Sequence, residues 1–223
     1  MNTLAIISFV ISPLVALILM LMASRILDKK ALVQFTSSFF IGILTVIPMI
    51  VGLYLAAHYN LIKDTSSLRR YLLFSFVIVG FLAEFTKFLL LRYYFIPRDG
   101  ISKPFDGILY SIMIAMGFAT AANVYFYIAG PSQLSVPIVS LTLPLANLLI
   151  GIILGFFLGF GKFRKQHVDY LTGLGVATFF QGFYIFCILA DDFVLLGLVG
   201  FVTLIIAVLL SLRSLNTDVK QIM

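Results

Sequence analysis

Long apolar stretches alternate with short polar segments along the whole chain, and this pattern predicts membrane-spanning helices. A helix needs about 20 predominantly apolar residues to cross a bilayer. Stretches of that length lie at about 4–24, 35–57, 71–91, 107–128, 134–160, 170–190 and 193–212. The sequence therefore predicts an all-α, polytopic transmembrane bundle of about seven spans (seven or eight). We expect a single integral membrane domain over residues 1–223.

The amino-acid composition also indicates a membrane protein. The chain is 62% hydrophobic and 11% charged, with a mean hydropathy of +1.15, which excludes a soluble domain. Its formal net charge of +6 does not indicate nucleic-acid binding, because the basic residues cluster between the apolar stretches. Such residues set membrane topology and face acidic headgroups, so the lipid bilayer is the expected partner.

The distribution of lysine and arginine also predicts an orientation. With the N-terminus outside, the outer segments hold only Lys63, Arg69 and Arg70. The inner segments then hold eleven basic residues: Arg25, Lys29, Lys30, Arg92, Arg98, Lys103, Lys162, Arg164, Lys165, Arg213 and Lys220. Cytoplasmic loops carry the excess of Lys and Arg. We therefore expect the N-terminus outside and the C-terminus in the cytoplasm. The expected location is the bacterial cell membrane.

Glu84, the one glutamate of the sequence, lies inside the third apolar stretch, and Lys87 follows three residues later. A charge at such a depth costs about 2.5 to 3.5 kcal/mol on insertion scales. Side chains at positions i and i+3 share a helix face and can pair. An intramembrane ionisable pair is a candidate functional site. The alternative is a structural ion pair that locks the bundle.

Three further polar residues, Asn123, Asn147 and Gln181, lie in three other spans. An interhelical hydrogen bond, worth about 1 kcal/mol, explains Asn123 more simply than a catalytic role does. Gln181 needs a partner near the middle of the membrane. Together with Glu84, these residues could converge on one interior polar site.

A ridge of small residues is predicted on the fifth span. Asn147, Gly151, Gly155 and Gly159 recur every four residues and therefore share one helix face. Ridges of this kind let helix backbones approach closely, so the signal is chiefly one of packing. Asn147 is accordingly expected to point into the bundle.

A metal site is not supported by the residue types. A catalytic zinc typically takes three protein ligands from His, Glu, Asp and Cys. His58, His167 and Cys187 lie at span ends or in a loop, which leaves Glu84 as the one strong ligand within the membrane. Asp106 is predicted to be the N-cap of the fourth span. The residues alone predict no metal and argue against an enzyme.

Four segments nevertheless resemble the PrsW family of membrane-embedded proteases, distant relatives of the CAAX-processing type. VGFLAEFTKFLLLR at 79–92 is similar to the family's EExxK segment, and PFDGILYSIMIAMGFATAANVYFY at 104–127 to its DGIxY…GFAxxEN segment. NLLIGIILGFFLGFGKF at 147–163 resembles its HxxxGxxxG helix, and FFQGFYIFCI at 179–188 its HGxYDF segment. The resemblance covers about 75–190. It implies an intramembrane peptidase that uses zinc and cleaves anti-sigma factors or similar single-span substrates.

Several motif positions depart from this resemblance. The family's glutamates, histidines and aspartate are replaced at Ala83, Ala122, Asn147, Gln181 and Ile185. The resemblance implies that the lost glutamates and histidines are metal ligands and water activators, and losing nearly all of them leaves no site. Natural decay or deliberate redesign would leave this pattern. Glu84 and Lys87 remain as a catalytic remnant, with a framework of Asp106, Gly107, Tyr110, Asn123, Gly151, Gly155 and Gly182.

The expected function is thus that of a catalytically degenerate pseudoprotease. It would bind or regulate single-span membrane proteins of the anti-sigma-factor kind, without a cofactor and without nucleic acid. One alternative is an active intramembrane metalloprotease with an atypical site around Glu84. Another is a small ion or solute transporter that uses Glu84 and Lys87.

Overall fold

The computed structural model describes residues 3–59, 68–98, 101–128 and 136–222, and every regular element in these ranges is helical. Two π-helical segments, Leu73–Phe81 and Leu90–Phe95, lie directly before and after α5, so that Leu68–Phe95 is one continuous third span. The α-helices are α1 Thr3–Ala23, α2 Lys29–Leu44, α3 Ile47–His58, α4 Leu68–Leu72, α5 Leu82–Leu89, α6 Pro104–Ile128, α7 Val136–Arg164, α8 His167–Leu189 and α9 Phe193–Ile222.

Within the described residues, six helices are long and apolar enough to cross a membrane, and a shorter apolar stretch, Phe9–Ala23, belongs to α1. The prediction of an all-α bundle with about seven spans is confirmed. The second span begins at Lys29 rather than near residue 35. The reason is a cap: Asp28 accepts a hydrogen bond from the backbone N–H of Ala31 at 3.2 Å, which extends the helix into its charged flank.

The second span is interrupted at Thr45 and Val46, between α2 and α3. Pro48 lies in the first turn of α3, where it has no N–H to donate. The Thr45 hydroxyl donates to the carbonyl of Gly42 at 2.6 Å. The carbonyl of Thr45 accepts from the hydroxyl of Thr86 at 2.9 Å, so α5 supports the break. In lipid, backbone groups freed by a break must find such partners inside the protein.

Helix α6 lies at the centre of the bundle. Of its most apolar 18 residues 78% are buried, compared with 11% for α9. It packs against α7 through backbone contacts, where a Cβ added to Gly155 would lie 2.6 Å from the carbonyl oxygen of Gly107. A Cβ added to Gly159 would collide with the carbonyl oxygen of Pro104. The predicted packing ridge on the fifth span is confirmed.

Asp106 has a different position from the one predicted. Because α6 begins at Pro104, Asp106 lies inside the first turn and is not the N-cap. Its Oδ2 atom accepts hydrogen bonds from the backbone N–H groups of Ser102 at 2.8 Å and Lys103 at 3.0 Å. A carboxylate three residues into a helix can satisfy the donors that precede the helix, and it also complements the positive end of the dipole.

Two clusters of buried apolar side chains fill the interior. The larger one surrounds the first half of α6 and includes Tyr110, whose ring lies between those of Phe35 and Phe95. The smaller one surrounds the second half of α6 and includes Phe118. The smaller cluster adjoins the polar residues described next.

Candidate functional site

An ion pair is buried in the third span. The Nζ atom of Lys87 lies 2.5 Å from Oε1 of Glu84, and the exposed fractions of the two side chains are 2% and 0%. The pair predicted from the i, i+3 spacing is therefore present. It lies within α5, between the two π-helical segments of the span. The other carboxylate oxygen, Oε2, is buried and has no hydrogen-bond partner among the residues that the structure describes.

Lys87 links three spans. Its ammonium donates to Oδ1 of Asn147 on α7 at 2.7 Å, and it lies 4.5 Å from the centre of the Phe118 ring on α6. The amide of Asn147 donates in turn to the carbonyl of Leu143 at 3.0 Å. Asn147 is fully buried, as the ridge predicted. The ammonium is thus surrounded by a carboxylate, an amide oxygen and an aromatic face, each of which stabilises a positive charge.

Three of the replaced motif positions meet in the smaller apolar cluster. Ala83, Ala122 and Ile185 come from the third span, α6 and α8, and all three are buried in this cluster. Their exposed fractions are 0%, 0% and 1%. Where the motif resemblance implies carboxylates, the protein has buried methyl and sec-butyl groups beside the Glu84–Lys87 pair.

The remaining polar candidates do not all join the pair. Asn123 is fully buried, and its amide donates to the carbonyl of Ser140 on α7 at 3.1 Å, about two turns before Asn147. Gln181 is 1% exposed, and its Oε1 atom has no hydrogen-bond partner among the described residues. The structure therefore brings together Glu84, Lys87 and Asn147 through direct hydrogen bonds or ion pairs, whereas Gln181 shows no such bond to them.

The framework glycines act through close packing. A Cβ added to Gly80 would lie 2.9 Å from the backbone nitrogen of Gly182, so the third span and α8 touch backbone to backbone. Gly151 faces Ala115, where an added Cβ would lie 3.0 Å from its methyl group. These contacts fix the separation of the helices that carry the buried polar residues.

Sequence reasoning missed three side chains near this centre. Phe118 supplies the ring beneath Lys87, and the hydroxyl groups of Thr142 and Tyr184 are hydrogen-bonded at 2.8 Å. Tyr184 lies three residues after Gln181 in the same segment, so its spacing on α8 was the available signal. Phe118 gave none, because an aromatic residue in an apolar helix is ordinary core.

The residues do not fit a zinc ion. Among the described residues, no group of three His, Cys, Asp or Glu side chains comes together. Glu84 is one strong ligand, but its Oε1 atom is paired with a cation, and Asn147 presents an amide oxygen to that same cation. A catalytic zinc site typically takes three protein ligands from imidazole, thiolate and carboxylate groups.

Comparisons with a family model and with known proteins point to the same family. The model of the PrsW family of intramembrane metalloproteases matches residues 30–211. The chain is 30% identical over 190 residues to Protease PrsW of Bacillus subtilis (strain 168), covering 83% of this chain and 84% of the relative. It is 26% identical over 165 residues to Protease PrsW of Shouchella clausii (strain KSM-K16), covering 74% of each. No solved structure matches the chain.

The match extends beyond the region of the four motif segments and includes the second and seventh spans. The chain is an integral membrane protein, and these relatives are bacterial. Taken with the order of the motif segments along α5, α6, α7 and α8, the family match identifies this chain as a member of the PrsW family of intramembrane metalloproteases.

Proposed function

We propose that this PrsW-family member is a catalytically degenerate pseudoprotease, which binds a single-span membrane protein without cleaving it. The observation that carries the proposal is the burial of Ala83, Ala122 and Ile185 in one apolar cluster beside Glu84. These three side chains have no atom that can bind a metal or accept a proton.

Peptide hydrolysis needs an activated water molecule and a group that stabilises the developing oxyanion. A metalloprotease obtains both from its metal ion. Glu84 carries a carboxylate, but the ammonium of Lys87 lies against one of its oxygens and would compete with a water molecule for it. Asn147 and Gln181 have polar amide side chains where the resemblance implies the imidazoles of histidines. The centre therefore retains polar groups but has no set of three strong metal ligands among the described residues.

A membrane-embedded groove next to this centre supports the binding part of the proposal. It lies between α7, α8 and α9, has a volume of about 450 Å³, and has the hydrogen-bonded hydroxyl groups of Thr142 and Tyr184 in its wall. Nothing lies within 4 Å of a Cβ added to Gly197 or Gly200. Small residues let a second helix approach closely, and this groove could receive side chains of a partner helix.

The proposed topology has the N-terminus outside and the C-terminus in the cytoplasm. It rests on the excess of Lys and Arg in the segments that lie inside when the N-terminus is outside and the chain crosses the membrane seven times. We also propose that residues 1–223 form one membrane domain, with the motif region at about 75–190. An anti-sigma-factor-like partner bound in the groove would cross the membrane beside α9.

Photocrosslinking and a cleavage assay test this function together. A photoreactive amino acid is placed at Gly200, and a matched one at Leu209, which is 59% exposed on α9 and does not line the groove. Both variants are expressed with single-span anti-sigma-factor-like reporters. We expect a reporter to be crosslinked from position 200 in preference to 209, uncleaved, and equally in a Glu84→Ala background. Cleavage that stops in Glu84→Gln would contradict the proposal, as would equal crosslinking from both positions.

An active metalloprotease with an atypical site around Glu84 is the second candidate. It is favoured by two buried oxygens, Oε2 of Glu84 and Oε1 of Gln181, that have no hydrogen-bond partner among the described residues. Buried polar atoms of this kind often mark a bound water or ion. Metal analysis of the purified protein separates the candidates: about one zinc per chain, lost in Glu84→Ala, would establish the metalloprotease, and its absence from both samples supports the pseudoprotease.

A further inference from the structure

A second, polar groove lies at one end of the bundle, and neither residue of the ion pair lines it. It is formed by the start of α2 and the residues that end the third span, and its volume is about 680 Å³. Both helices change there from apolar to charged sequence, at Lys29 and Lys30 and at Arg98. The groove therefore lies at the boundary between hydrocarbon and water. It is lined by Asp28, Lys30, Ala31, Val33, Gln34, Ser37, Tyr94, Pro97 and Arg98.

The charges in this groove favour an anion. Lys30 and Arg98 contribute two cations, and Asp28 contributes one carboxylate, whose Oδ1 atom accepts from the N–H of Ala31 at the start of α2. Arg98 donates one hydrogen bond to the carbonyl of Tyr94 at 2.6 Å, and its guanidinium lies 3.4 Å from the centre of the Tyr94 ring. A guanidinium carries five N–H donors, so this clamp fixes its position and leaves further donors for a ligand.

A buried donor in the same wall lacks an acceptor. The Nε2 atom of Gln34 is buried and has no hydrogen-bond partner among the residues that the structure describes. The backbone carbonyl of Gln34 accepts from the hydroxyl of Ser37 at 2.7 Å, so this turn of α2 is otherwise satisfied. An unpaired buried donor is destabilising, and an acceptor oxygen supplied by a ligand would remove that cost.

We propose that this groove binds the phosphate of an anionic phospholipid headgroup. The phosphate would accept from Lys30, Arg98 and the orphaned amide of Gln34. The same wall carries the apolar side chain of Val33, which is 65% exposed on the membrane-facing turn of α2 and can contact an acyl chain. Basic pockets between transmembrane helices are known to take acidic headgroups. The site lies at the end of the bundle that holds most of the lysine and arginine, whichever way the chain is oriented.

Native mass spectrometry of the full chain tests the site. The detergent-purified protein is titrated with phosphatidylglycerol, with phosphatidylcholine and with inorganic phosphate. We expect phosphatidylglycerol to bind at least tenfold more tightly than phosphatidylcholine, and inorganic phosphate not to displace it. Lys30→Gln combined with Arg98→Gln should weaken phosphatidylglycerol binding about 30-fold, which is roughly fivefold for each basic residue. Gln34→Leu should weaken it about tenfold, because it removes a hydrogen bond to a charged group.

The matched control is Lys103→Gln combined with Arg213→Gln, which removes the same charge from exposed positions outside the groove. An equal loss in the control would reduce the effect to general electrostatic attraction and overturn the site. Displacement by inorganic phosphate at equal concentration would assign the groove to a soluble anion and would also overturn it. If the double variant does not fold, the Gln34→Leu variant and the single Lys30→Gln variant test the site instead. Unchanged phosphatidylglycerol binding in both of these variants would overturn the proposal.

Discussion

The contact between α6 and α7 differs between its two halves. In one half, Gly107 lies against Gly155 and Gly159 with the two backbones in direct contact. In the other half, Ala122 lies in an apolar cluster, and Asn147 accepts a hydrogen bond from Lys87. The first half keeps the small residues of the family segments. In the second half, apolar side chains and an amide stand where the resemblance to the family segments implies ionisable ones.

The physical reason for this difference is that the two halves tolerate substitution unequally. A backbone-to-backbone contact has room for no side chain, so replacing a glycine there forces the helices apart. A buried polar centre can be replaced by apolar groups of similar volume at little cost, and often with a gain in stability. Apolar side chains in the second half of the helix pair are therefore compatible with an unchanged fold.

The largest effect is expected where the backbones touch. Gly155→Leu should prevent recovery of folded protein, because its side chain would enter the space held by the carbonyl of Gly107 and by Ile108. Overpacking alone costs about 1 to 3 kcal/mol, and displacement of backbone adds to that. Size-exclusion chromatography in detergent after a heating series measures it. Gly175→Leu is the control, since an added Cβ there meets nothing within 4 Å; equal damage in both would remove the distinction between the halves.

The next largest effect is expected at the ion pair. Lys87→Met should destabilise the protein by about 3 to 5 kcal/mol, because it leaves the carboxylate of Glu84 buried without a counter-ion. Glu84→Gln should cost less, since the ammonium keeps Asn147 and the Phe118 ring. The double variant should recover most of the loss. A thermal denaturation cycle in detergent measures the coupling, and strictly additive losses would show that the pair contributes nothing as a pair.

A smaller effect is expected at the start of α6. Asp106→Ala should cost about 1 kcal/mol, because two backbone donors at Ser102 and Lys103 lose their acceptor. Asp106→Asn keeps an acceptor oxygen and should cost less. The same thermal assay compares the two. If Asp106→Asn were as damaging as Asp106→Ala, the negative charge at the helix end, and not the hydrogen bond, would be the stabilising element.

The smallest effect is expected in the groove between α7, α8 and α9. Tyr184→Phe or Thr142→Val alone should cost about 1 kcal/mol, because each leaves the partner hydroxyl with fewer bonds. Removing both should be close to neutral. Stability measurements on the three variants test this, and the crosslinking yield from Gly200 shows whether the hydroxyl pair also contributes to partner binding. A double variant that loses the sum of the two singles would mean the pair is not coupled.

Local periodicity was enough to predict some of these features. The spacing of Glu84 and Lys87 predicted their ion pair, and the four-residue recurrence from Asn147 predicted the face of α7 that packs inward. Both follow from the geometry of a single helix. The start of α6 was misplaced by three residues, although Pro104 is a typical first residue of a helix and was a usable signal.

Features that depend on how the helices are arranged around one another were not predictable in this way. The meeting of Ala83, Ala122 and Ile185 requires the rotation and order of three spans, which one sequence does not specify. The same holds for the hydroxyl pair of Thr142 and Tyr184 on α7 and α8. The break at Thr45 depends on a hydroxyl group 41 residues away, on Thr86.

The two π-helical segments, Leu73–Phe81 and Leu90–Phe95, have a consequence for how this centre can change over time. A π turn is wider than an α turn, and such turns are frequent at functional sites. Because one lies on each side of α5, gaining or losing a single residue in either segment would rotate Glu84 and Lys87 about the helix axis by roughly 100°. One insertion or deletion could therefore turn the buried pair toward the lipid and turn another face of α5 toward the interior, while the flanking spans keep their places.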